Sequence, residues 1–210
     1  MVVKLIVADD QEVIRQGLAV LLTNSEIRLV AEAATGNEAI TLTERHKPDV
    51  LLLDVRMPDM DGLDALEQIR ENTPATKVIM ISAYDNPSYV ARAVVLGAED
   101  FLLKDSPAEA YVAAIHRAVA GGELAAGTLF SQIRATLQKR SDPKADGVPL
   151  TRREYQVLRH LAYGLSNREI ARSLNISIET VKEHVQKVLR KLDMSCRTAA
   201  AIWLVKRWLA

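Results

Sequence analysis

Apolar residues in the first hundred or so positions come in short unbroken runs rather than in alternation. Val2-Val3-Lys4-Leu5-Ile6-Val7-Ala8, Val50-Leu51-Leu52-Leu53, Val78-Ile79-Met80-Ile81 and Phe101-Leu102-Leu103 are the clearest. Short runs rich in Val, Ile and Leu fit strands buried on both faces. The pattern predicts strands over Val2–Ala8, Leu29–Ala34, Val50–Asp54, Val78–Ser82 and Asp100–Leu103. Between them the apolar residues take helical spacing, which predicts helices over Glu12–Leu22, Asn37–His46, Gly62–Glu71, Pro87–Leu96 and Pro107–Ala120. Thr35-Gly36-Asn37 and Gly97-Ala98 supply boundary signals. Five successive strand–helix units imply an α/β doubly wound, five-stranded parallel sheet with helices on both faces.

After Gly121-Gly122 the pattern changes. One helix is expected at about Thr128–Lys139, with Leu129, Ile133 and Leu137 at helical spacing, and Ser141–Pro149 reads as a flexible linker. From residue 150 onward the pattern is all-α, with four helices at Arg152–Tyr163, Arg168–Leu174, Ile178–Leu192 and Thr198–Trp208. Thr151, Asn167 and Ser177 stand at the starts of the first three as N-cap types. The expected organisation is a first domain over 1–124, a linker with one helix over 125–147, and a second domain over 148–210.

Charge sharpens this division. Residues 1–124 hold 11 Lys+Arg against 20 Asp+Glu, a net −9, and residues 125–210 hold 16 against 7, a net +9. The overall formal charge of +0 is therefore a cancellation. An acidic half joined to a basic half points to different partners, and the basic half suits a polyanion such as nucleic acid. Mutual attraction of the halves is an alternative compatible with it. A single cysteine, Cys196, leaves no internal disulfide and no cysteine-based zinc site. The first apolar run is too short to span a membrane and acidic residues follow it at once, so a soluble, cytoplasmic protein with no membrane partner is expected.

The predicted strands share a second property: each of four delivers a polar group at its C-terminal end. These are Asp9 and Asp10, Asp54, Ser82 and Lys104. In a parallel α/β sheet those ends lie side by side and form the ligand crevice. Three carboxylates, a hydroxyl and an ammonium suit a hard divalent cation and a phosphoryl group. Asp54 is the candidate acceptor; Asp10 is a direct metal ligand, Asp9 acts directly or through water, and the backbone carbonyl of Arg56 completes the set. Mg²⁺ fits so sparse a carboxylate set, with Lys104 pairing with phosphoryl oxygens and Ser82 donating to one. Taken singly, each residue has an ordinary reading as turn former, cap or solvated charge. The inference lies in the set. Arg56 and Tyr84, two positions beyond Asp54 and Ser82, either shield an aspartyl phosphate from water or simply face solvent.

In the second domain, Val181, Val185, Val188 and Leu192 line one face of a helix and leave Glu179, Glu183, Gln186 and Arg190 opposite, flanked by Lys182 and Lys187. A short helix precedes it across Asn175-Ile176-Ser177, which is helix-turn-helix geometry. Lys182, Lys187 and Arg190 suit phosphates or guanine, Gln186 adenine and Glu183 cytosine, while Ser177 and Thr180 suit phosphates at the helix N-terminus. The competing reading is an amphipathic helix with a solvated charged face. His184 lies beside the apolar stripe and reads as packed and structural. The last helix, with Ala199-Ala200-Ala201-Ile202-Trp203-Leu204-Val205, is apolar nearly all round and requires cover beyond its own core, although Trp203 and Trp208 read equally well as core and chain-end packing.

The set Asp9-Asp10, Asp54-Val55-Arg56-Met57-Pro58-Asp59-Met60-Asp61-Gly62, Ser82-Ala83 and Lys104 resembles the receiver domain of bacterial two-component response regulators over about residues 1–124. The resemblance implies a flavodoxin-like fold, a sensor histidine kinase as phosphoryl donor, Mg²⁺ as cofactor, and Ser82 with Phe101 as the switch. One departure is Asp105, where many receivers have Pro. Leu150–Leu158, Gly164–Ala171 and Thr180–Val185 resemble the LuxR-type helix-turn-helix over most of 148–210. Together they are similar to NarL/FixJ-type regulators. That similarity makes Lys182 a DNA contact, Thr180 a phosphate contact, Glu183 and Gln186 variable base readers, and the last helix the contact of a homodimer on double-stranded DNA. The expected function is transcriptional control by phosphorylation of Asp54, the first domain restraining the second until then. Two rivals stand beside it: a phosphorylation-independent regulator, and an Mg²⁺-dependent phosphohydrolase with an aspartyl-phosphate intermediate. The last needs a general acid where Arg56 stands.

Overall fold

A computed structural model describes residues 2–23, 25–138 and 149–208, the Trp208 side chain excepted. The chain divides into two compact units, Met1–Ser131 and Gln132–Ala210. Among the described residues no helix is long and apolar enough to cross a membrane.

The first unit alternates strands β1 (Val3–Ala8), β2 (Ile27–Ala33), β3 (Val50–Asp54), β4 (Lys77–Ser82) and β5 (Asp100–Leu103) with helices α1 (Glu12–Leu21), α2 (Gly36–His46), α3 (Gly62–Asn72), α4 (Pro87–Leu96) and α5 (Ala108–Ala120). The sheet is parallel in the order β2-β1-β3-β4-β5. Every β3 residue is buried, as its uninterrupted apolar run requires of a central strand. On one face Leu5, Val7, Leu52, Ile79 and Ile81 pack with Leu18 of α1 and Tyr111, Ile115 and Ala118 of α5. The register sets Asp54 opposite Ile81 and Ser82 opposite Leu103, so the polar strand ends arrive side by side.

Local chemistry fixes the helix starts. Thr35 caps α2 by accepting from Glu38 N, and the Glu38 carboxylate accepts from Ala34 N at 2.8 Å. Asn86 caps α4, whose first residue is Pro87, a position where the missing N–H costs nothing. At the start of α3, Gly62 N donates to Val55 O at 2.8 Å, and a Cβ on Gly62 would lie 1.8 Å from the carbonyl oxygen of Asp54. Only glycine permits that approach.

The second unit contains α7 (Arg152–Ala162), α8 (Asn167–Leu174), α9 (Ile178–Lys191) and α10 (Arg197–Trp208); α6 (Leu129–Gln138) begins in the first unit and runs on into the second. The expected linker over Ser141–Pro149 falls, up to residue 148, outside the described residues. Thr151 and Ser177 cap α7 and α9 as expected. The cap of α8 is Ser166 rather than Asn167, because Ser166 and Glu169 form a reciprocal capping box that draws Asn167 into the first turn. Leu150, Tyr155, Leu158, Val188, Ala200 and Leu204 form the core, with Trp203 packed against it. Two buried polar groups are fully engaged. Glu154 Oε2 accepts from Thr151 N and from Lys191 Nζ, both at 2.7 Å. The His160 ring donates through Nδ1 to the Gln156 carbonyl at 2.7 Å and accepts through Nε2 from the Ser173 hydroxyl at 2.8 Å. Burial pushes its pKa down to about 4.

Candidate functional site

A cleft of about 270 Å³ opens at the C-terminal ends of β1, β3, β4 and β5, lined by Asp10, Asp54, Arg56, Ser82, Tyr84 and Lys104 among others. Lys104 is its electrostatic centre. The Nζ lies 2.6 Å from Asp9 Oδ2 and 2.9 Å from Asp54 Oδ2. Burial opposes the ammonium charge, but hydrogen bonds to Asp9 and Asp54 outweigh it and hold the Lys104 pKa above its ordinary value. Asp54 is buried at the end of β3, and its pKa is pushed up to about 6. Burial is the largest cause and the neighbouring Asp9 charge adds to it, against Lys104 and the Arg56 amide.

Ligating oxygens of Asp9, Asp10 and Asp54 lie within 4.8 Å of one another. Three carboxylates beside one ammonium leave an excess of negative charge when all are ionised. A hard divalent cation with oxygen ligands answers that imbalance, so the residues fit such an ion.

Several supports hold this set, and pattern reading did not identify them. Gln11 N donates to Asp9 Oδ1 at 2.9 Å, and Arg15 Nη1 donates to the Asp9 carbonyl at 2.8 Å while its Nε pairs with Glu32 at 3.3 Å. Tyr111 Oη donates to the Leu103 carbonyl at 3.0 Å, tying the strand end that carries Lys104 to α5. Burial, with Asp9 and Asp105 nearby, raises the Tyr111 pKa to about 12, so this donor keeps its proton. Asp59 reaches from the loop after Asp54 to the N-terminus of α2, accepting from Gly36 N at 2.8 Å and Asn37 N at 3.0 Å. Nothing in a lone Asp, Tyr or Arg announces such long-range ties.

Ser82 sits beside the cleft but is turned inward on its own loop. Its Oγ donates to the Tyr84 carbonyl and accepts from Tyr84 N, both at 3.1 Å. Phe101 is buried on β5. Tyr84 is 65 % exposed, and Arg56 is exposed as well, so both line the mouth of the cleft rather than its floor.

In the second unit, α8, the left-handed Asn175 and α9 form the expected helix-turn-helix. Val181 and Val188 are buried; Val185 and Leu192 are half-buried. Lys182, Glu183, Gln186, Lys187 and Arg190 are exposed along α9. Ser177 Oγ accepts from Thr180 N at 3.0 Å and lies 2.8 Å from Thr180 Oγ1, so these two hydroxyls meet at the helix N-terminus. Lys182 Nζ pairs with Glu179 at 3.1 Å. His184 is half-buried, in keeping with a packed residue, and burial lowers its pKa.

Residues 5–116 match the family model for the response regulator receiver domain, and residues 148–204 match that for bacterial regulatory proteins of the luxR family. The chain is 40% identical over 206 residues to YhcZ of Bacillus subtilis (strain 168), an uncharacterized transcriptional regulatory protein, covering 97% of this chain and 95% of that protein. It is 36% identical over 204 residues to the response regulator protein VraR of Staphylococcus aureus, covering 97% and 96%. The crystal structure of ChrA, a response regulator in a heme-sensing two-component system, matches with a TM-score of 0.53 and 30% identity over 99% of this chain and 98% of that one.

Proposed function

The chain belongs to the response regulators that join a receiver domain to a LuxR-family DNA-binding domain, and from that premise we propose that Asp54 is its phosphoryl acceptor. Proteins of this kind regulate transcription through a DNA-binding unit controlled by phosphorylation, and this chain has both units. A sensor histidine kinase is the donor. A carboxylate oxygen of Asp54 attacks phosphorus, and the bond to the donor breaks. Asp10 and Asp54, with Asp9 and the Arg56 carbonyl, would hold Mg²⁺, which would supply neutralisation of the negative charge that gathers at the acceptor. Lys104 then pairs with a phosphoryl oxygen. Ser82 exchanges its bond to the Tyr84 carbonyl for one to the phosphoryl group, and Phe101 follows.

The observation that carries this reading is the Lys104 ammonium held between Asp9 and Asp54 in an open cleft. The boundaries we propose are 1–124 for the receiver, 125–147 for the linker and 148–210 for the DNA-binding domain. On DNA, Ser177, Thr180, Lys182, Lys187 and Arg190 engage phosphates and guanine, while Glu183 and Gln186 set base preference. A homodimer forms through α10, where Ile202 stands 50 % exposed, and the protein works in the cytoplasm. Arg56 stands where an aspartyl-phosphate phosphohydrolase carries its general acid, so no observation favours that rival.

Radiolabelled acetyl phosphate tests the proposal. The wild type is expected to take up label only with Mg²⁺ present and to lose uptake on chelation, and Asp54→Ala is expected to take up none. Equal labelling of Asp54→Ala would overturn it.

A further inference from the structure

Strand β5 is an edge strand, and among the described residues no other strand pairs with its outer flank. Open edges invite unwanted pairing and are usually covered. A cavity of about 370 Å³ runs along this edge, walled by Val90 of α4 and by Ala110 and Arg117 of α5. Its cover is the segment that leads into α6, through Ala125, Thr128, Leu129 and Phe130. Phe130 is only 1 % exposed although it follows a turn-rich stretch at the end of the unit. Phe101 lines the same cavity.

The floor of this groove is braced. Asp100 is buried; its Oδ2 pairs with Arg117 Nη2 at 2.9 Å and its Oδ1 accepts from Phe101 N at 2.9 Å. The Phe101 backbone is thereby fixed to α5, which leaves the Phe101 side chain as the part able to move. The cover is built differently. Thr128 caps the first turn of α6, accepting from Ser131 N at 3.1 Å, so Phe130 is presented by a helix rather than by a loose loop. Further along the same helix the Thr136 hydroxyl is hydrogen-bonded to Tyr163, just beyond α7. A continuous helix carries a displacement of its first turn to its last.

We infer that the β5 edge is a docking groove whose occupant is this chain's own segment 125–130, with Phe130 the plug that senses Phe101. This rests on the reading of Ser82 and Phe101 as the switch and adds what receives its motion. While Ser82 remains bonded to Tyr84, Phe101 keeps the groove shaped for Phe130 and α6 stays seated. When Ser82 is drawn to a phosphoryl group and Phe101 moves, the shape under Phe130 is lost and the first turn of α6 leaves. The motion reaches the DNA-binding unit through the helix that already carries Thr136.

Hydrogen exchange of the full chain, with and without beryllofluoride and Mg²⁺, tests the inference. Beryllofluoride is expected to speed exchange of peptides covering residues 125–133 about tenfold, as for a segment that loses its buried anchor. Phe130→Ala is expected to show that faster exchange without beryllofluoride. It is also expected to bind tightly, in the resting state, a duplex selected from a random pool by beryllofluoride-treated wild type. Because loss of Phe130 could unfold α6 itself, Phe101→Leu serves as a second variant, expected to loosen the same peptides without altering the helix. Unchanged exchange over 125–133 while peptides around Asp54 and Lys104 respond overturns the docking groove and leaves the phosphoacceptor reading standing. The absence of any response in the receiver overturns both.

Discussion

Lys104 and Lys182 are both paired with carboxylates, one in each unit, and the pairs differ in kind. The Lys104 side chain is 9 % exposed and its Nζ sits 2.6 and 2.9 Å from two buried aspartates. The Lys182 side chain is 53 % exposed and meets one exposed glutamate at 3.1 Å along the same helix. In the first case charge has been taken out of water and fixed by the fold. In the second it remains solvated and available to a polyanion. A buried pair stores a large penalty for loss of a partner, whereas an exposed pair stores almost none. The receiver is thus built around its chemistry, and the recognition helix displays its own on a core that would stand without it.

Removing the ammonium from each pair gives the largest contrast. Lys104→Met leaves buried carboxylates uncompensated and is expected to cost about 3 kcal/mol at pH 7. Lys182→Met is expected to change stability by about 0.5 kcal/mol or less. Urea unfolding of both variants checks this, and equal costs would erase the distinction.

The pH dependence of the units sharpens it. His160 has a folded pKa near 4 against an ordinary value of 6.5, so the unfolded chain takes up a proton that the folded unit refuses. Its contribution is whole above pH 6.5 and is lost as pH falls toward 4, about 3 kcal/mol in all. Asp54 runs the other way. Its folded pKa near 6 exceeds the ordinary 3.8, so the receiver gains stability as pH falls through 6 toward 4. Both tryptophans, Trp203 and Trp208, lie in the second unit, so their fluorescence follows that unit alone. Denaturation followed this way at pH 7 and pH 5 should show marked weakening that His160→Gln removes, whereas Asp54→Asn should flatten the opposing slope of the receiver in calorimetry.

A smaller effect concerns display without burial. Lys187→Gln is expected to lower the salt slope of DNA affinity by about 1 with little change in preferred sequence. An unaltered slope would take Lys187 off the DNA face. Smallest is the mouth of the cleft: Arg56→Ala combined with Tyr84→Ala should speed loss of the Asp54 phosphoryl group about threefold, roughly 0.7 kcal/mol of barrier. An unchanged lifetime would leave these side chains as mere solvent-facing groups.

The same contrast explains what was legible in the sequence. Asp9, Asp54, Ser82 and Lys104 stand at the ends of apolar runs, and a parallel sheet has only one place to put strand ends. The structure brings all four together, and β3, α4 and β5 have the bounds that the pattern predicted. The strand order β2-β1-β3-β4-β5 and the ties through Tyr111, Arg15 and Asp59 depend on residues many positions apart whose types are ordinary. The inward bond of Ser82 to Tyr84 depends on a rotamer, which no pattern encodes. In the second unit the apolar stripe of α9 was readable, but the Glu154–Lys191 pair, 37 residues apart, was not. The α8 cap was misplaced by one residue because Asn167 and Ser166 are both good cap types, and Glu169 decides between them.

The sheet order has a consequence for biosynthesis. Leu5 of β1 must find Val50 of β3, a pairing 45 residues apart in sequence, and the core of the second unit likewise joins Leu150 and Leu158 to Ala200 and Leu204 near the far end of the chain. The receiver, whose parallel sheet pairs strands distant in sequence, leaves the ribosome before the DNA-binding unit. At about 5–20 residues per second, translating the remaining chain gives the receiver roughly 4–16 s to close its central strands before the DNA-binding module exists. A circular permutant that reversed the order would remove that head start and expose half-made strands to one another on neighbouring nascent chains.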